Sequence, residues 1–342
     1  MTSIDWILSG TISLGLIWPF FIMLSCYPSD VELENDQNIL ATKLVDSLAG
    51  LIGFTSPHTV DCARQLLLSL GQQYGYSAHG LLHPILFAYY HRLLFDDKIV
   101  NLERLESLVL PFVIKSIQSA KNSFENLGIL VDLNNNALAS APIRQRLEIT
   151  AKKAQPEDHL LMVLAMSDDK IQKFHAAIQI ILRVWPEMAK EILCSISCVS
   201  LFEANYAIGA ADVCVHGALF FNQVKFDLEP VKLAEEIIHE SSHVRLNCRL
   251  SIDNFIENNP SESYSSPLRK DKRPMFGIIH QIFVLSRLRQ YYIRCSSELD
   301  STYQQDVDNI TKLLSTGLEV ARRHAVLSES GKVLLGSVVE SL

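Results

Sequence analysis

Before Lys43 the chain has no lysine or arginine at all. That absence governs how its amino terminus is read. The run from Trp6 to Tyr27, WILSGTISLGLIWPFFIMLSCY, carries no charge and is long enough to span a bilayer. A signal peptide needs a positive n-region, and Asp5 stands where that region belongs. A spanning helix takes its orientation from flanking cations, and neither end of this run supplies one. Gly10, Gly15 and Pro19 also break the run into pieces that can pack separately. The expectation is a buried amino-terminal segment in a cytoplasmic protein, with membrane contact through residues 6–27 as the alternative.

Positive charge is scarce overall. With 30 Lys and Arg against 38 Asp and Glu, the net charge is −8, which excludes the broad basic footprint of a nucleic-acid binder. The seven cysteines show no repeating spacing. Cys194 and Cys198 lack a second matching pair, so they do not read as a zinc knuckle, and the set reads as reduced thiols. Internal repeats and low-complexity tracts are missing too. What the 342 residues do have is 48% hydrophobic content with 20% charged, enough to bury a sizeable core. Nothing in the sequence fixes an oligomeric state.

Most of the first half has helical periodicity. Apolar residues recur every three or four positions over 37–53, 60–76, 83–95 and 102–120, the last divided by Pro111. Residues 130–142, polar and closed by Pro142, read as a linker. A capping-type Ser-Asp-Asp opens a helix over 167–186. After Glu187 the pattern changes. Residues 192–204 and 212–222 are β-branched and aromatic and read as two strands. Helices then follow from Pro230, over 275–295, and at least once more over 300–325. The expected fold is mainly α with an α+β character: a helical region over 1–190, then a zincin-like metal helix with a small antiparallel sheet over 191–342.

Within the helix after Pro230 lies EEIIHESSHVR, residues 235–245. On a helix, positions four apart lie one turn above each other on one face, so His239 and His243 can present two imidazoles to one ion. Glu240, straight after the first, borders that ion as a base or an orienter. Leu233, Ile237 and Ile238 place the preceding turn against a core wall. Two histidines do not complete a site, so a third ligand decides the chemistry. The metzincin pattern needs Gly and His where this chain has Leu246 and Arg249. Glu262 has a thermolysin-like separation but sits in NNPSESYSSP, a turn-forming stretch. His280, on the apolar helix FGIIHQIFV, is the better candidate, because an unpaired imidazole there is costly. Between the two helices stand Arg269, Lys270, Lys272 and Arg273. A solvated basic loop is the ordinary reading of such a run, but an arginine fork also suits the distal carboxylate of a chelated dicarboxylate.

The blocks GALFFN, LAEEIIHESSHVRL and SSPLRKDKRPMFGIIHQIFV, within about residues 215–295, resemble the HEXXH motif-containing peptide-modification proteins of ribosomal natural-product clusters. The resemblance implies an iron(II)- and 2-oxoglutarate-dependent enzyme that hydroxylates the β-carbon of a residue in a precursor peptide. It implies His239, His243 and His280 as iron ligands, Arg273 or Arg269 as the holder of 2-oxoglutarate, and Glu240 as a neighbouring group or substrate contact. Leu268 stands where members of that family often have Trp. The strand before the metal helix would offer its edge to an extended peptide. The alternative is a zinc peptidase or amidase, with Glu240 as general base.

Overall fold

The computed structural model describes residues 25–52, 162–164, 166–204 and 209–342, with Gln65, Leu86, Phe87 and Tyr90 as isolated positions. The helices expected over 60–76, 83–95 and 102–120 and the linker at 130–142 lie outside these residues, save that Gln65, Leu86, Phe87 and Tyr90 are helical. The described residues are mainly helical with a small sheet.

Helix α1 (Asp30–Ile52) begins at Asp30 rather than near Gln37. Next come α2 (Asp168–Val184) and α3 (Pro186–Ser195). Trp185 separates them, its N–H donating back to Ile181 O at 2.7 Å, and Pro186 starts the next helix where a missing N–H does no harm. Helices α4 (Pro230–Ile252), α5 (Met275–Glu298) and α6 (Gln304–His324) follow the sequence expectation closely. One further helix, α7 (Glu329–Glu340), follows α6 and is capped by Ser328, whose hydroxyl accepts from Gly331 N at 3.2 Å.

The sheet has the order β1 (Met162–Leu164), β2 (Cys198–Glu203), β4 (Ala218–Asn222), β3 (Gly209–Ala210). It is mixed, which corrects the antiparallel expectation. β1 and β3 run antiparallel to their neighbours, but β2 and β4 are parallel, from Cys198 beside Ala218 to Phe202 beside Asn222. The chain leaves β2, reverses through β3 and reverses again, so β4 enters between them in the direction of β2. The burial agrees: β4 is buried at every position and β2 at all but its last, as in parallel strands covered on both faces. The expected strands also shorten. Residues up to Ser195 finish α3, and Val213–Val215 form a short 3₁₀ turn in which the Asp212 carboxylate accepts from Cys214 N at 2.7 Å. Gly217 then turns the chain into β4 with φ at 85°, a conformation only glycine adopts without strain. Because β2 and β3 flank β4 at Phe220 and Phe221, β4 has no free edge there for a substrate strand.

One apolar cluster joins Phe174, Ile181 and Ile192 from α2 and α3, and Trp185 between them, to Leu233, Ile237 and Ile278 from α4 and α5. The boundary expected at residue 190 falls inside α3, whose side chains belong to that cluster. Among the described residues no helix is long and apolar enough to cross a membrane, and residues 6–24 of the apolar run lie outside them.

Candidate metal centre

Helix α4 carries the motif because its first turns have a wall to lie against. Leu233, Ala234, Ile237 and Ile238 are fully buried. The two serines of HESSH are buried as well, and each returns its hydroxyl to Ile238 O, at 3.1 Å from Ser241 and 2.6 Å from Ser242. Polar residues can therefore occupy this core position without an unmet donor.

The helix brings the His239 and His243 rings to 5.0 Å between centroids, with their Nε2 atoms 3.3 Å apart. Two nitrogens that share an ion at about 2.1 Å lie roughly 3.0–3.4 Å from each other, so this pair has the separation of two ligands. His280 enters from the second turn of α5. Its ring stacks on His243 at 5.3 Å and 22°, with Nδ1 to Nδ1 at 3.1 Å. Phe276, one turn earlier on α5, packs against the His280 ring at 4.3 Å between centroids. His280 Nε2 is buried with no hydrogen-bond partner.

Three imidazoles from two helices thus share one cluster, but His243 turns Nε2 to one neighbour and Nδ1 to the other. Among the described residues no group of three His, Cys, Asp or Glu side chains is placed to hold a metal ion. Three nitrogens meet at one ion only if the rings reorient, and the terminal torsion of histidine is broad. The donor chemistry fits a first-row metal. Burial pushes His239 below the usual imidazole range, with the Lys225 and Arg269 charges adding to the effect against Glu236. Burial also lowers His243 strongly, helped by its two histidine neighbours, and takes His280 down to about 4. All three are neutral at neutral pH, the form that offers a lone pair.

Glu240 is buried against β3. A Cβ on Gly209 would lie 2.6 Å from Glu240 Oε1. Burial, and secondarily the charge of Glu236, raise its carboxyl to about 8. Lys225, from the short 3₁₀ segment after β4, pairs with Glu236 at 2.5 Å and lies within electrostatic reach of both Glu240 and His239. Neither Lys225 nor Gly209 was singled out in the sequence. Both come from the strand region and reach α4 only through the sheet's path.

The loop between α4 and α5 places the remaining candidates. Tyr264 and Arg273 exchange two backbone hydrogen bonds at 2.8 Å, pinching the loop at its base. Glu262 lies exposed on that loop and accepts from Tyr264 Oη. It is not among the imidazoles. Ser266 Oγ accepts from Leu268 N and Arg269 N, at 3.2 and 3.0 Å, and donates to Gln281 Oε1 on α5 at 2.8 Å. Arg269 is exposed, yet its charge is felt at His239. Arg273 is half-buried. Its Nη2 pairs with Asp271 at 2.8 Å, while its Nε is buried with no partner.

Behind the imidazoles lies a buried ionic network that sequence reading missed entirely. From α4, Arg245 pairs with Asp36 at 2.7 Å, and Arg249 pairs with Asp36 at 2.7 Å and Glu32 at 3.2 Å, both acids on α1. From α5, Arg287 forks onto both oxygens of Glu191 on α3, and Arg245 Nε approaches the same carboxylate at 3.7 Å. Three guanidinium groups meet three carboxylates, so the network is neutral in sum. Buried arginines on the motif helix were the available signal, since an arginine on a buried face requires a partner.

No protein-family model matches the chain, and no curated protein matches it.

Proposed function

We propose that the protein is an iron(II)- and 2-oxoglutarate-dependent hydroxylase acting on the β-carbon of a residue in a ribosomally made peptide, in the cytoplasm. The observation that carries this reading is the approach of His280 to His243, at 3.1 Å, while Glu262 stays exposed on its loop. That pattern favours a three-imidazole donor set over the two-histidine, one-glutamate set of a thermolysin-like peptidase. His239, His243 and His280 would hold the metal, and iron with 2-oxoglutarate would supply the oxidising power needed to replace a C–H hydrogen. The chain's own part is to keep the imidazoles neutral, hold the peptide and exclude water. Arg273, with a buried Nε that has no partner, suits the distal carboxylate of the keto acid, and Arg269 is the reserve. Cys26, Cys198, Cys248 and Cys295 are free thiols, in keeping with a reducing compartment.

A second reading, a zinc peptidase or amidase, draws on the placement of Glu240 beneath the strand residue Gly209. There an extended substrate along β3 would pass over a carboxyl able to serve as general base. The deciding experiment is anaerobic titration of the iron(II) protein with 2-oxoglutarate, followed by the metal-to-ligand absorption band. A saturable band with one iron per chain supports the hydroxylase. Stoichiometric zinc that iron cannot displace, with peptide-bond cleavage, replaces it by the peptidase.

A further inference from the structure

One carboxylate on a third helix faces both helices that carry the imidazoles. Glu191 on α3 receives both prongs of the Arg287 guanidinium, and the same carboxylate lies 3.7 Å from Arg245 Nε. Arg245 stands two residues beyond His243 on α4. Arg287 stands seven beyond His280 on α5, on the same helix face and about 10 Å along the axis. The side chains of Glu191, Arg245 and Arg287 are all at most 4% exposed. Arg287 Nε also donates to Cys26 O at 3.0 Å, so its plane is fixed at both ends.

We propose that Glu191 is a positioning residue for the imidazole cluster: by holding Arg245 and Arg287 together it sets α4 against α5, and so His243 against His280. This rests on reading the cluster as a metal site. A bidentate guanidinium–carboxylate pair fixes orientation as well as distance, and a metal site tolerates little displacement of its donors. Helices α4 and α5 also meet directly near the start of α4, where Tyr291 Oη donates to Val231 O at 3.0 Å, Lys232 Nζ donates to Tyr292 Oη at 2.5 Å and Tyr292 Oη donates to Glu235. The Glu191 contact falls on α4 beyond the imidazoles, two residues past His243, so the imidazole-bearing turns of α4 lie between the two ties. The rest of the network differs in this respect. Asp36 and Glu32 bind only arginines of α4, and so they seat α1 without bridging the two ligand-bearing helices.

That difference supplies the test. Glu191→Gln keeps the shape but loses the charge and one acceptor of the fork, while Asp36→Asn makes an equal change at the other end of the network. Two readouts are compared: cobalt(II) titration with its visible d–d spectrum, and the nuclear Overhauser effect between the His243 and His280 rings in metal-free, histidine-labelled protein. Glu191→Gln is expected to weaken cobalt binding at least tenfold, alter the spectrum and diminish the ring-to-ring signal. Asp36→Asn is expected to lower stability while leaving both unchanged. Folded Glu191→Gln protein with wild-type cobalt affinity and an intact ring signal overturns the proposal, as does equal loss in both variants. If Glu191→Gln does not fold, the paired change Glu191→Met with Arg287→Met refills the space with apolar groups. Retained cobalt affinity in that protein is likewise fatal, and its loss in a folded protein is the expected result. If the wild-type protein takes up no cobalt, the metal reading falls, and the ring-to-ring signal alone decides the role of Glu191.

Discussion

Gly209 and Glu240 occupy each other's space: the place where a β-carbon of Gly209 would sit is 2.6 Å from the carboxylate oxygen Oε1 and 3.2 Å from Cδ. No real β-carbon tolerates the shorter distance, so Gly209→Ala must displace the end of the Glu240 side chain. The side chain is flexible, and the strand backbone need not move. The expected outcome is a folded protein with near-normal metal content and lower turnover, since the change strikes Glu240 and leaves the imidazoles alone. Elemental analysis beside a turnover assay checks it. Unchanged turnover would remove Glu240 from the chemistry.

His280→Ala should lose tight metal binding, because only His239 and His243 then remain. Glu262→Ala should leave binding nearly intact, since Glu262 is exposed and engaged with Tyr264 Oη. Competition against a chromophoric chelator under anaerobic conditions reads both. A reversed order would return the site to the thermolysin-like ligand set.

What the sequence made legible here is what short range decides. The spacing of His239 and His243, the proline start of α4 and the apolar turn before the motif all act within a few residues, and the structure has α4 starting at Pro230 with that turn buried. The direction of β4 is different. It depends on how the chain returns through β3, and no periodicity within ALFFN encodes that path. The ionic network was equally illegible, because Glu191 finds Arg287 across 96 positions and Arg249 finds Asp36 across 213. Arg245 and Arg249 could be suspected of burial from their helix face, but not matched to their partners.

Asp36→Ala tests what that network contributes to stability. Removing the acid leaves Arg245, among the described carboxylates, with the distant Glu191 and Arg249 with Glu32, both inside the protein. Breaking a buried pair from one side typically destabilises by about 3–5 kcal/mol. Asp169→Ala, which removes an exposed partner of Lys173, should leave the midpoint of urea unfolding almost where it was. Equal midpoints for the two variants would show that α1 contributes little to holding α4.

Arg273→Lys keeps a positive charge but replaces the planar fork by a point charge. If Arg273 holds the distal carboxylate of 2-oxoglutarate, apparent affinity should fall about ten- to a hundredfold, a change of roughly 1.4–2.8 kcal/mol, while iron binding survives. Arg269→Lys, at an exposed position, should have the smaller effect. The reverse ranking transfers the role to Arg269, whose charge already reaches His239.

Acid should destabilise the metal-free protein through its buried histidines, and the sign follows from their lowered values. Burial takes His216 to about 4, with the Arg245 charge adding to it, and burial alone takes His280 to about 4. Both titrate near 6.5 when unfolded. Between those limits the unfolded chain binds more protons than the folded one, so stability rises with pH from about 4 to 6.5 and is lost on acidification through that window. Glu240 works oppositely. Its folded value of about 8 exceeds the unfolded 4.5, so its contribution is complete below 4.5 and declines as pH rises toward 8. Urea unfolding across pH 4 to 8 should therefore show a rise up to about 6.5 and a shallow fall above it. His216→Gln should flatten the first limb and Glu240→Gln the second. Metal should steepen the acid limb, because bound imidazoles must give up their protons. If metal-loaded and metal-free protein have the same acid limb, the ion is not held by these histidines.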